Sequence, residues 1–72
     1  MLYRCTEWHR LVGARVEVRR NGTAIRVATI SEAMPDGSAV WLSAEGVEAR
    51  MFIAAYSGYE IWVEDRVFFS LV

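Results

Sequence analysis

The sequence predicts an all-β domain of short antiparallel strands, and three observations point there. Asn21-Gly22 separates two alternating apolar runs, Val16 and Val18 before it, Ile25 and Val27 after it. Asn-Gly in that setting is the strongest short-range hairpin signal, because a type I′ turn needs positive φ at both central residues. Further turn signals recur at close intervals, at Met34-Pro35-Asp36-Gly37-Ser38 and at Glu45-Gly46, where Pro presets φ and Gly supplies unusual backbone angles. Between the turns lie period-2 stretches rich in β-branched and aromatic residues, the pattern of half-buried strands.

Taken in order, Thr6 has the position of a helix N-cap with Glu7 in the first turn and Gly13 as a stop, which predicts one or two helical turns over Glu7 to Leu11. Trp8, Leu11 and Val12 supply its apolar contacts. The first strand runs from Ala14 to Arg20 and the second from Thr23 to Ala33. A two-residue turn would set Val18 opposite Ile25, Val16 opposite Val27 and Glu17 opposite Arg26, so that burial and charge agree on one register. The alternation of the second strand shifts after Thr29 to Ile30 and Ala33, which predicts a bulge or bend. A third strand covers Ala39 to Ser43 and a fourth Val47 to Ile53. Ala54-Ala55-Tyr56-Ser57-Gly58 suits one turn of 3₁₀ helix, and Tyr59 to Glu64 alternates as a fifth strand. The expected core is Val16, Val18, Ile25, Val27, Val40, Leu42, Met51, Ile61 and Val63.

Bulk properties bound the function. Seventy-two residues form one domain, residues 1–72, with 67–72 as an apolar tail. A chain this short has a thin core, yet 54% of its residues are apolar, against about 45–50% in ordinary domains even when Gly is included. Some of the excess must reach the surface, and exposed apolar surface marks a partner. The net charge of −1 gives no case for wholesale nucleic-acid binding, where a basic domain is expected. The single cysteine, Cys5, excludes an internal disulfide and suits a reducing compartment, and no run approaches a membrane span. The expected location is cytoplasmic, with no membrane partner and no cofactor.

The order of short helix, Leu-x-Gly-x-x-Val-x-Val, Asn-Gly hairpin, long bent strand, two strands, 3₁₀-like turn and closing strand resembles the SH3-like small barrels. Leu11, Gly13, Val16, Val18 and Gly22 stand where the first motif of the Sm-like proteins has its helix, Leu-x-Gly-x-x-Val pattern and Gly turn. The C-terminal domain of biotin protein ligases shares the strand order and a Gly before the last strand, here Gly58. The resemblance is one of pattern over residues 6–64. It implies an SH3-like small barrel of five antiparallel strands, six if the tail adds one, with a short N-terminal helix. It does not carry RNA binding. The Asp-x-Met-Asn stretch that lines an Sm-like pore is replaced by residues 34–39, and the cation before the last-strand Gly is replaced by Ser57.

Three sets of side chains compete for a function. Trp41, Phe52 and Trp62 alternate away from the core residues of their strands. Large aromatics on an outer face anchor interfaces, and a second, minor core formed with Trp8 and the tail is an equal reading. The tail holds Phe68 and Phe69 in the run Val67-Phe68-Phe69-Ser70-Leu71-Val72. Such a β-prone, uncharged run must be paired or buried, and a second copy of the chain is its expected partner. Arg15, Arg19, Arg20 and Arg26 gather on the first hairpin and could grip phosphate. Without interleaved aromatics for base stacking, a solvated face is the stronger reading. Cys5 and His9, four residues apart, would share a helical face but lack an orienting third residue. No residue is expected to be catalytic and none to bind metal. The expectation is a non-catalytic interaction or oligomerisation module, dimeric by default and open to a protein partner, with a nucleic-acid-binding small barrel as the alternative.

Overall fold

The computed structural model describes residues 1–70. Six strands form one antiparallel sheet: β1 Leu2–Cys5, β2 Arg15–Arg20, β3 Thr23–Ala33, β4 Ala39–Leu42, β5 Met51–Ala54 and β6 Tyr59–Glu64. The helix α1, Asp65–Ser70, follows β6, and single 3₁₀ turns occur at Trp8–Arg10 and Ala55–Ser57. The strand order is β1-β6-β2-β3-β4-β5. The two outermost strands, β1 and β5, do not pair with each other, so the sheet is open and not closed into a barrel.

Three expectations change. The sixth strand is N-terminal, Leu2–Cys5 against β6, and not the tail. The N-terminal helix expected over Glu7 to Leu11 is one 3₁₀ turn whose start has no side-chain cap. Trp8 explains its brevity. Its side chain is buried and its indole N–H donates to the Cys5 carbonyl at 3.0 Å, which ties the turn to the end of β1. The tail, expected to pair or pack on another copy, begins as helix α1 on its own chain, whereas Leu71 and Val72 lie outside the described residues.

The hairpin turn forms as predicted. Asn21 and Gly22 both have positive φ, 52° and 78°, and Arg20 faces Thr23 across them. The register beyond the turn does not follow. It shifts between Val18 and Arg19, leaving Ile25 as an extra residue in β3. Val18 therefore opposes Arg26 rather than Ile25, Val16 opposes Ala28 rather than Val27, and Glu17 opposes Val27 rather than Arg26. Strand side chains alternate with period 2, so one inserted residue reverses which face each subsequent side chain takes. Ile25 and Val27 are 44% and 51% exposed, while Ala28 and Ile30 are fully buried. A second shift, between Ile30 and Glu32, bends β3 where the sequence pattern changes, and carries it from pairing with β2 to pairing with β4.

The fourth strand is shorter than expected. Residues 45–48 close a small turn in which Glu45 and Glu48 exchange backbone hydrogen bonds, and Val47 is fully exposed. Every strand contributes to one core: Cys5, Trp8, Leu11, Val16, Val18, Ala28, Ile30, Val40, Leu42, Ile53, Ile61 and Val63, with Met51 only partly buried against it. Burial thus separates two isoleucines that the sequence pattern treats alike. In urea denaturation Ile61→Ala should cost about 2–5 kcal/mol, most of what a domain of this size has to lose, whereas Ile25→Ala should stay within about 0.5 kcal/mol.

Candidate interaction surface

The outer aromatics expected from strand alternation divide into two places. Trp41 and Phe52 are direct cross-strand partners on β4 and β5, with ring centroids 5.0 Å apart and planes tilted by 59°. Arg50, just before β5, lays its guanidinium over the Trp41 ring at 4.2 Å and reaches Glu32 at 3.5 Å. Trp41 is therefore packed on by Arg50 and Phe52, and Phe52, 47% exposed, is the outermost member. Met34 is 48% exposed and borders with them a shallow depression of about 70 Å³. Because β5 ends the sheet, this patch lies beside a strand with one unpaired side.

Trp62 belongs elsewhere. It lies on β6, and both β2 and β3 intervene before β4 in the sheet order. Its indole N–H donates to Glu60 at 2.9 Å, and the Arg19 guanidinium sits 4.2 Å from its ring centroid. With Leu2, Arg15, Glu17, Val27 and Val67 it borders an open groove of about 680 Å³. Of the charged groups that line it, Arg15 is engaged by Glu45 and Glu17 by Arg19.

Phe68 and Phe69 join neither place. Phe68 stacks on Tyr3 of β1 at 4.7 Å, Phe69 meets the same ring edge-on at 5.4 Å, and the two phenylalanines touch each other at 5.3 Å. Val67 and Phe68 pack against the core. The first residues of the tail thus cover the end of their own chain's core, and among the described residues Phe68 and Phe69 meet Tyr3 and each other rather than Trp41 or Trp62. Tyr3 is the residue that sequence reasoning missed here; it lies before the first element the sequence predicts, and nothing local marks it as part of a strand beside the tail.

The four hairpin arginines do not form one cationic face. Arg15 donates to both carboxylate oxygens of Glu45, at 2.7 and 2.9 Å. Arg19 pairs with Glu17 as well as covering Trp62. Arg26, brought onto the core side by the shift at Ile25, keeps only 7% of its side chain exposed. It donates to the carbonyls of Ser43 and Ala49, both at 2.8 Å, with Glu48 at 3.9 Å, while its Nε has no partner. Arg26 therefore holds the 43–49 loop against the sheet end. Arg20, over Tyr59 at 5.0 Å, is the one of the four without a carboxylate partner among the described residues. The rings that could stack bases, Trp62 and Tyr59, already carry guanidinium groups.

Cys5 and His9 do not share a helical face. Cys5 ends β1 with its thiol in the core, and burial pushes its pKa up, which disfavours the thiolate. His9 is exposed on the 3₁₀ turn, its ring beside Gly37. Among the described residues no three His, Cys, Asp or Glu side chains gather to hold a metal ion, and no helix is long and apolar enough to cross a membrane. Compared with known proteins, the chain matches no family model, no curated protein and no solved structure.

Two predictions follow from the arginine contacts. Arg26→Ala removes charge-assisted bonds to two carbonyls and should cost about 1.5–3 kcal/mol in denaturant titration, while Arg20→Ala should stay within about 0.5 kcal/mol. Glu45 receives Arg15 and the Thr29 N–H, and the Arg15 hydrogen bond holds its carboxyl below the usual glutamate range. A depressed folded-state pKa adds stability that is present above the unfolded value and is lost as pH falls through the folded one. Unfolding followed from about pH 6 to about pH 3 should therefore show a shallower acid loss for Glu45→Gln than for the parent.

Proposed function

We propose that this chain is a non-catalytic interaction module that associates through the Trp41–Phe52 patch and the unpaired side of β5. The observation that supports the reading is Phe52. It is a large aromatic left half exposed at the end of a sheet, pinned by Trp41, and beside exposed Met34. Aromatic and methionine side chains held rigidly at the surface are the anchors of protein interfaces. The composition agrees, since 54% apolar residues in a chain this short exceed what its interior holds. A symmetric homodimer is the default form of such an assembly.

This reading moves the interface away from the tail, because Phe68 and Phe69 are engaged with Tyr3 of their own chain. It also ranks the nucleic-acid alternative lower. Of the hairpin arginines, Arg15 and Arg19 are paired with carboxylates and Arg26 is turned inward. We read the architecture as an incomplete small barrel, open between β1 and β5; the bend in β3 and one core drawn from all six strands support that reading.

Light scattering on the full chain tests the proposal. The parent should have twice the chain mass at high concentration, and Phe52→Asp should have the chain mass with an unchanged circular dichroism spectrum. A parent that stays monomeric at millimolar concentration overturns it. Binding to single-stranded RNA that weakens steeply with salt would favour the arginine alternative instead.

A further inference from the structure

We infer that the recess beside Trp41 and Phe52 receives the guanidinium of an arginine side chain carried by a partner protein. The inference rests on the interaction reading of this patch and names what the partner brings to it.

The sheet register builds the recess. Glu32 on β3 faces Trp41 on β4, and Trp41 faces Phe52 on β5. Opposed residues of neighbouring strands share a face, so a carboxylate and two aromatic rings stand in one row. Two residues further along each of β4 and β5, the same face carries Ala39 opposite Ala54, and both are buried. The face thus steps down from two large rings to two methyl groups. Glu32, half-exposed Met34, Ala39, Trp41 and Phe52 are among the residues that line the resulting hollow of about 70 Å³. That is about twice the share of liquid volume taken by one water, about 30 Å³. It suits a head group of a few heavy atoms and not an aromatic base.

Arg50 shows which chemistry the row holds. Its guanidinium lies 4.2 Å from the Trp41 ring centroid and 3.5 Å from Glu32. A ring face attracts a cation, and a planar guanidinium can stack on the ring while it reaches a carboxylate. Arg50 is nevertheless not among the residues that line the hollow. Its ion pair joins two side chains that are 50% and 67% exposed, and an exposed pair of this kind is weak and easily exchanged. Glu32 is therefore open to a second guanidinium, with Arg50 as its competitor.

Other occupants fit less well. An apolar group seated here would take Glu32 out of water without a counter-charge. A hard metal ion takes about six oxygen ligands or more, and the hollow offers one carboxylate. Small-molecule sites usually enclose about 300–1,000 Å³, so a free ligand would leave most of its surface in water here. An arginine presented on a protein needs only its head group covered. The remaining contact comes from exposed Phe52 and Met34 around it.

Titration of the dilute full chain with a capped Gly-Gly-Arg-Gly-Gly peptide, followed in NMR by the Trp41 indole N–H, tests the inference. The expected result is a saturable shift at Trp41. Binding should weaken about tenfold when citrulline, uncharged and of the same shape, replaces the arginine. It should weaken about threefold in Glu32→Gln and tighten about threefold in Arg50→Gln. Equal binding of the citrulline peptide, or an Arg50→Gln variant that binds no tighter, overturns the inference. The mass at high concentration separates it from the interaction reading. A dimer whose Trp41 ignores the peptide overturns the inference alone, and a monomer that ignores it overturns both. A monomer that binds the peptide retains the recess and overturns self-association. A dimer that Arg50→Gln abolishes assigns the arginine to a second copy and overturns the separate partner.

Discussion

The extra residue at Ile25 decides what the rest of the molecule can be. Up to the Asn21-Gly22 turn the chain obeys its own alternation; past Ile25 the side chains of β3 take the opposite face, as far as the second shift after Ile30. Ala28 and Ile30 enter the core in place of Val27 and Thr29, and Arg26 is carried to the core side with them. A buried guanidinium without partners would be costly. The carbonyls of Ser43 and Ala49 receive it, and the loop between β4 and β5 is held where they are. The bulge, the inward arginine and the position of the β5 edge are thus one linked arrangement.

The same linkage sets the character of the surface. Ile25 and Val27, displaced outward, are exposed, and Val27 shares a groove with Trp62 and with Arg15 and Glu17, which are paired with Glu45 and Arg19. Charges that looked like a grip for phosphate instead satisfy one another, and each such exposed pair is worth little energy on its own. At the other end of the sheet Phe52 has no such charged cover, apart from its neighbour Arg50 over Trp41. The two ends of the surface thus contrast, a charge-compensated face at one and a half-exposed aromatic on the last strand at the other.

Local chemistry was legible in the sequence. The Asn-Gly turn, the bend after Thr29, the 3₁₀ turn before Gly58 and the inward positions of Val40, Leu42, Ile61 and Val63 all follow from turn residues and period-2 alternation. Long-range effects were not. A bulge leaves no mark when the inserted residue is itself β-branched, and Ile25 continues the apolar alternation that it interrupts. β1 was invisible because Leu2–Cys5 becomes a strand only against β6, far away in sequence. The candidate surface was half legible. Trp41 and Phe52 were placed outward by alternation and are partners, but nothing local could say that Trp62 would lie across two further strands or that the tail would meet Tyr3.

The place of β6 in the sheet bears on how the chain folds as it is made. β6 lies between β1 and β2, so the two N-terminal strands are joined only through the last one. The β2–β3–β4–β5 run consists of neighbours in sequence and can zip as it emerges from the ribosome. β1 must wait, unpaired, until Glu64 arrives opposite Leu2 and the amino group of Met1 comes within 3.5 Å of Asp65. Closing so long a loop is slow relative to hairpin formation. The pairing of β1 with β6 and the contact of Phe68 with Tyr3 therefore both join stretches about sixty residues apart in sequence, the longest-range closures of this topology.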